Sequence, residues 1–206
     1  MRKILNLFSV PVLEAHIPQI DNIDLSNKIN NVFDTMPVKR VLSEKWRDNL
    51  EAPGQPEKGY STFNDESKDL LKNPDFNNFF KTIETVINEF LIQLGYNDVW
   101  QYENSWASIY PQGAFVDRHN HGTAHWSGVY YVEGPDNEAR ILFDDPKEYS
   151  LNHEPHGVKF RGRMQYSFQP IPGQLLLWPG YLNHSSVPNN SGSDRTIISF
   201  NINCKL

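Results

Sequence analysis

His119, Asn120 and His121 place two imidazoles two residues apart, and a third imidazole, His184, lies far downstream, followed by Arg195. On an extended strand successive side chains alternate between faces, so residues i and i+2 project together. Two such histidines can grip one ion, and a third brought in by the fold would complete a facial set. Imidazole suits iron, zinc, copper and nickel, so the pattern speaks for a transition metal without choosing one. Arg195 adds a different chemistry. It sits in Asp194-Arg195-Thr196-Ile197-Ile198-Ser199-Phe200-Asn201, which reads as a buried strand, and a buried guanidinium is costly unless it meets an anion. Its partner is either a carboxylate of the protein or a carboxylate ligand held by the planar fork.

These residues need a rigid frame. Strand-forming runs fall at 98–110, 113–119, 125–133, 139–144, 158–168, 174–178, 182–187 and 194–203. Turn chemistry separates them, as in Gly134-Pro135-Asp136-Asn137, Ile171-Pro172-Gly173 and Asn189-Asn190-Ser191-Gly192. The expected fold is therefore mainly β with N-terminal helices, a double-stranded β-helix of the jelly-roll, cupin-like kind. Ahead of it, Asn73 to Gly95 predicts a helix, with Asn73 as cap, Pro74 in the first turn and Gly95 past the end. Its stripe of Phe76, Phe79, Phe80, Ile83, Val86, Ile87, Phe90, Leu91 and Leu94 repeats at three-four spacing and faces a core. Residues 4–17 read as a strand placed at an edge by Pro11. Asp24-Leu25-Ser26 caps a short helix toward Phe33, and 38–72 reads as an irregular arm, a wall or lid over the site. One domain over 1–206 is expected, its 1–96 part leading into a jelly-roll core at 97–206.

A net charge of -6 and a pI near 5.6 give no general attraction to nucleic acid or to an anionic membrane. The single Cys204 cannot form an intramolecular disulfide and reads as an incidental thiol. Met1 to Pro11 is interrupted by Asn6 and has no cleavage motif, so it does not read as a signal peptide. No window approaches the run of roughly 18 apolar residues that spans a bilayer. A soluble, cytoplasmic protein is expected, acting on a small molecule or a protein side chain, and the composition leaves a homodimer open.

Order and spacing say more than any one element. His119-Asn120-His121, Ser127-Gly128-Val129-Tyr130-Tyr131, Phe143-Asp144-Asp145-Pro146, Gly173 to Pro179, and Arg195 to Asn201 follow one another over 110–203. In this the chain resembles the iron(II)/2-oxoglutarate-dependent dioxygenases, and within them the phage and bacterial branch of 2OG-Fe(II) oxygenases. That branch carries H-x-H, S-G-V-Y-Y, F-x-D-P, G-x-L-x-L-[FW]-P and R-x-x-x-S-F-N motifs. The resemblance implies Fe(II), 2-oxoglutarate and O2, with 2-oxoglutarate decarboxylation to succinate coupled to substrate hydroxylation, and a phage-encoded member would act in a bacterial host. It makes His119 the first metal ligand, His184 the distal one, and Arg195 the clamp for the C5 carboxylate.

Position 121 departs from the wider superfamily, which places an acid there. His121 fills the second-ligand slot by spacing, and Asp117, Asp144 and Asp145 are the alternative acids for that ligand position. Tyr131 and Tyr110 lie where related enzymes offer a hydroxyl to 2-oxoglutarate, though core packing explains them equally. Ser199 and Asn201 share a strand face with Arg195 and would support the clamp. His125 is expected beside the ligands or facing substrate, whereas His16, His153 and His156 are expected in solvent. Trp126, Trp178 and Tyr181 would shape the rim. Three rival readings stand beside the dioxygenase: a cupin-like metal protein without catalysis, a three-histidine dioxygenase that does not use 2-oxoglutarate, and a silent jelly roll serving an interaction.

Overall fold

A computed structural model describes residues 9–36, 60–63, 65–96, 99–134, 139–146 and 165–205. In chain order its strands are β1 (Leu13–His16), β2 (Tyr60–Ser61), β3 (Trp100–Tyr110), β4 (Trp126–Glu133), β5 (Ile141–Asp144), β6 (Gln165–Phe168), β7 (Gln174–Pro179), β8 (His184–Ser186) and β9 (Arg195–Cys204). Helix α1 (Asn22–Asp34) lies between β1 and β2, and α2 (Asn77–Gln93) between β2 and β3. Antiparallel pairing gives a six-stranded sheet, β1-β7-β4-β9-β3-β2, and a three-stranded sheet, β6-β5-β8. The result is mainly β with few helices, a double-stranded β-helix, as expected.

The large sheet is covered on both faces. On one side α1 and α2 bury Ile29, Phe33, Phe79, Phe80, Ile83 and Ile87 against Tyr130, Leu175, Leu177, Ile198 and Phe200. On the other, Val129, Tyr131, Leu176, Trp178 and Ile197 meet Ile141 and Phe143 of the small sheet. This double burial explains why β4, β7 and β9 read as nearly unbroken apolar runs while still alternating in what they touch. Gly128 of β4 stands opposite Phe200 of β9. A Cβ there would meet three atoms of that ring at 2.3 to 2.9 Å, so only glycine fits.

Several expectations shift. Asn73 does cap, but it caps a 3-10 turn, Pro74–Phe76, and α2 starts only at Asn77. The far end is as expected. Gly95 has φ +85, its N–H donates to Ile92 O at 2.9 Å, and the Tyr96 N–H reaches back to Leu91 O at 2.9 Å, which satisfies carbonyls the helix leaves open. The cap of α1 is Asp21 rather than Asp24-Leu25-Ser26, since its carboxylate accepts from Ile23 N and Asp24 N. Of the strand expected at 4–17, the described part pairs only over Leu13–His16, at a sheet edge; residues 1–8 lie outside the described residues, as do 37–59 of the arm and 147–164. The described arm carries β2 and 3-10 turns at Glu66–Lys68 and Leu70–Lys72. Asp69 ties it to β3 by accepting from Ser105 N and Ser105 Oγ, and Phe63 packs edge-on to Trp106 with centroids 4.7 Å apart.

The segment 113–119 is the main correction, because it joins no ladder. Gly113 takes φ +82, Ala114 N turns back onto Pro111 O, and Val116 N is satisfied by the Ser186 hydroxyl. A turn and a side chain thus interrupt the backbone bonds to 184–189, such as Asn189 N to Ala114 O and Ser186 N to Val116 O, before they can form a ladder. Only one isolated bridge, His119 to His184, survives.

Candidate metal centre

That bridge assembles the site. His119 N donates to His184 O at 2.9 Å and His184 N to His119 O at 2.8 Å, while His121 N donates to Gly180 O at 2.9 Å. The loop carrying the first two histidines is therefore sewn by backbone to the turn and strand carrying the third. Asn120 adds a side-chain link to Asn183 at 3.0 Å. Ring centroids of His119, His121 and His184 lie 4.2 to 5.3 Å apart, and one potential ligand atom of each lies within 4.8 Å of the other two. The i, i+2 spacing thus delivers two rings to one point without a regular strand.

Each imidazole is held at Nδ1 by an oxygen. His119 donates to Asp117 O at 2.8 Å, His184 to Leu182 O at 2.9 Å, and His121 to Asn201 Oδ1 at 2.6 Å. Carbonyl and amide oxygens only accept, so the proton sits on Nδ1 and Nε2 keeps its lone pair. Burial keeps the rings neutral: it lowers His119, takes His121 down to about 4 and His184 down to about 2. Three neutral imidazoles with a free nitrogen each are what a divalent transition metal requires.

None of the acids weighed as a second ligand joins this group among the described residues. Asp117 offers His119 its backbone carbonyl. Asp144 is engaged by Arg118 Nε and by Gln165 Nε2, and Asp145 lines a separate surface groove beside Pro146 and Tyr166. His125 departs from expectation too: it is exposed and closes the β4–β9 end, its Nδ1 accepting from Cys204 N at 3.0 Å. His16 is exposed as expected, while His153 and His156 lie outside the described residues. Trp126 belongs to the helix-side core rather than to the rim, because it falls on the other parity of β4.

A cavity of about 80 Å³ runs from the three histidines to Arg195, with Tyr110, Tyr131 and Ser199 in its wall. It is several times the roughly 10–15 Å³ that one water requires. Arg195 is 3% exposed. Its Nη1 donates to Ala139 O at 2.6 Å and its Nη2 to Ser186 Oγ at 3.1 Å, and the guanidinium lies 4.3 Å above the Tyr110 ring. Among the described residues its Nε has no partner, nor has Nε1 of Trp178, which also lines the cavity. No carboxylate among the described residues pairs with it, so a buried cation stands with an N–H to spare. Burial raises the hydroxyls of Tyr110 and Tyr131 above the usual phenol range, with Arg195 opposing, so both stay protonated. Asn201, expected in this wall beside Ser199, instead lies behind His121.

The burial of these imidazoles gives the metal-free protein a pH-dependent stability. An unfolded imidazole protonates near 6.5, whereas folded His121 stays neutral down to about 4. Between those values the unfolded chain binds a proton the folded chain refuses, so stability falls as pH falls. The Tm of the metal-free protein is expected to hold above pH 7 and to drop steadily toward pH 4. Calorimetry showing a Tm that rises from pH 7 to pH 5 would contradict this.

Residues 104–201 match the family model described as "Putative 2OG-Fe(II) oxygenase". No curated protein matches the chain. Among solved structures it is similar to SnoN, the non-heme alpha-ketoglutarate-dependent epimerase of nogalamycin biosynthesis, at 8% identity over 94% of this chain and 78% of that one, with a TM-score of 0.60. It is also similar to the viral collagen prolyl hydroxylase of Paramecium bursaria Chlorella virus-1 in complex with 2OG, at 12% identity over 93% and 94% of the two chains, with a TM-score of 0.54. The chain spans 54% of an oxidoreductase of the 2OG-Fe(II) oxygenase family from Burkholderia pseudomallei, at 13% identity over 65% of this chain and a TM-score of 0.40. At such identities the likeness is one of fold.

Proposed function

We propose, from the match of residues 104–201 to the 2OG-Fe(II) oxygenase family model, that the chain carries such a domain and that the cavity between the three histidines and Arg195 is its working site. The protein is a 2-oxoglutarate-dependent dioxygenase whose family implies Fe(II), 2-oxoglutarate and O2. When bound, the iron supplies the activation of O2 and the coupling of 2-oxoglutarate decarboxylation to substrate oxidation. His119, His121 and His184 would hold it through Nε2, and the donor set fits, being three neutral imidazoles of fixed tautomer.

The chain's own residues do the rest. Arg195 takes the far carboxylate of 2-oxoglutarate, and its geometry carries the proposal. It is buried, it lacks an acid among the described residues, and it faces the same cavity as the histidines. Tyr110 lies under the guanidinium and steadies its plane. The protonated hydroxyls of Tyr110 and Tyr131 and that of Ser199 are donors for the co-substrate's oxygens. Val129, Ile141 and Ile197 line the cavity with apolar surface, which restricts water and strengthens the clamp. The reaction is a hydroxylation of a small molecule or of a protein side chain; among the structural relatives one is named a collagen prolyl hydroxylase and another an epimerase from nogalamycin biosynthesis. No described helix is long and apolar enough to cross a membrane.

Anaerobic addition of 2-oxoglutarate to the Fe(II)-loaded protein is expected to give a weak visible charge-transfer band, and admission of O2 to give succinate. Absence of both the band and succinate would refute the reading. Tightly held zinc with no response to 2-oxoglutarate would favour a metal protein without catalysis.

A further inference from the structure

His121 differs from the other two candidate ligands in what holds it. His119 and His184 donate to backbone carbonyls two residues upstream, which no substitution can remove. His121 donates to a side chain, Asn201 Oδ1. That amide is itself fixed. Ser127 of β4 and Asn104 of β3 are its direct cross-strand neighbours on either side. Ser127 Oγ donates to Asn201 Oδ1 at 2.8 Å, and Asn201 Nδ2 donates to Asn104 Oδ1 at 2.9 Å. Asn201 is 7% exposed and Ser127 fully buried, so none of these bonds is easily exchanged for water.

An amide can offer a neighbour either its oxygen or its nitrogen. With Nδ2 committed to Asn104, the oxygen is what faces position 121. The commitment depends on an irregularity in β3: the register shifts between Tyr102 and Asn104, which brings Asn104 opposite Asn201 where an unbroken ladder would have set Glu103. An acceptor at this point suits an imidazole, because it fixes the proton on Nδ1 and turns Nε2 to the cavity. It does not suit a carboxylate, which would bring oxygen against oxygen and receive no donor from the amide, whose Oδ1 would keep only the Ser127 hydroxyl.

We propose that Asn201 is a positioning residue for the metal centre: with Asn104 and Ser127 it sets His121 as a neutral Nε2 ligand and commits position 121 to histidine over an acid. This rests on the reading of His121 as a ligand. The row Asn104, Asn201, Ser127 is thus the counterpart, on the sheet, of the departure at position 121.

The test uses the full chain, with Co(II) binding by calorimetry and imidazole tautomers by ¹⁵N NMR on the metal-free protein. Wild type is expected to show His121 as the Nδ1–H form. Asn201→Leu, which keeps the volume but not the acceptor, is expected to mix the tautomers and to weaken Co(II) about 10–100-fold. Asn201→Asp keeps an acceptor and is expected to restore binding to at least the wild-type level. Asn104→Ala, at a half-buried position that tolerates truncation, frees the amide to turn and is expected to shift both readouts the same way, should Asn201→Leu not fold. His121→Asp is expected to bind more weakly than wild type. His119→Ala separates the two readings. If it loses Co(II) while the folded Asn201→Leu and Asn104→Ala keep wild-type affinity and the Nδ1–H form, the positioning role is overturned and the metal centre stands. If His119→Ala binds like wild type, the metal reading fails and the proposal falls with it.

Discussion

Replacing Arg195 by methionine is expected to weaken 2-oxoglutarate binding by at least about 100-fold while leaving Co(II) affinity unchanged. A charge-assisted hydrogen bond contributes about 1.5–3 kcal/mol, and a bidentate guanidinium–carboxylate pair in a buried site makes two of them. Losing both is therefore a loss of at least about 3 kcal/mol, or more than two powers of ten in Kd. The stability of the ligand-free protein points the other way. Arg195 is a buried cation whose neighbours are a carbonyl, a hydroxyl and a ring, and exchanging an uncompensated charge for an apolar side chain is often neutral or stabilising. The lost bonds to Ala139 O and Ser186 Oγ oppose that gain, so the Tm of the ligand-free variant should stay close to wild type. This split distinguishes a clamp from a structural arginine. Calorimetry on the Co(II)-loaded protein reads the first half and thermal denaturation the second; unchanged 2-oxoglutarate affinity, or a collapse of the ligand-free Tm, would sink the argument.

Much of this arrangement is legible in the sequence, where a pattern has one physical cause. The three-four stripe of α2 and the left-handed Gly95 locate that helix because burial and φ both leave marks on residue type. The strands β3, β4, β7 and β9 are legible for the same reason. What escapes is set by registry and by local competition. Nothing in the composition of 113–119 distinguishes a strand from a segment whose pairing is interrupted where Ala114 N turns onto Pro111 O and Val116 N meets the Ser186 hydroxyl. The two-residue β2 is too short to show a period. Asn201 shares a strand face with Arg195, which is visible in the alternation. That it meets His121, and not the clamp, depends on the pairing of three strands and on the extra residue Glu103 in β3. The same limit applies to the acids. Asp117 and Asp144 lie close in sequence to the right elements, yet one turns its carbonyl to His119 and the other is held by Arg118 and Gln165.

His184→Ala is expected to abolish the stabilisation that metal confers and to cost the centre more affinity than any supporting residue can. A residue that only orients a ligand is worth about 10–100-fold, and His184 is read here as a ligand itself. It stands nearest the middle of the cluster, with centroids 4.2 Å from His119, 5.1 Å from His121 and 4.8 Å from Trp178. Co(II) at about 100 times its Kd should stabilise wild type by about 2.7 kcal/mol, and the variant by close to nothing at the same concentration. Without metal the difference between the two proteins shrinks as pH falls. Near pH 7 the variant loses packing around a side chain only 5% exposed, which costs about 2–4 kcal/mol. Toward pH 4 the wild type carries the growing penalty of a histidine that refuses its proton down to about 2, and the variant does not. The two stability curves should therefore converge as pH falls. Parallel curves would mean that His184 is not held neutral by burial, and a Tm gain with Co(II) equal to wild type would remove it from the ligand set.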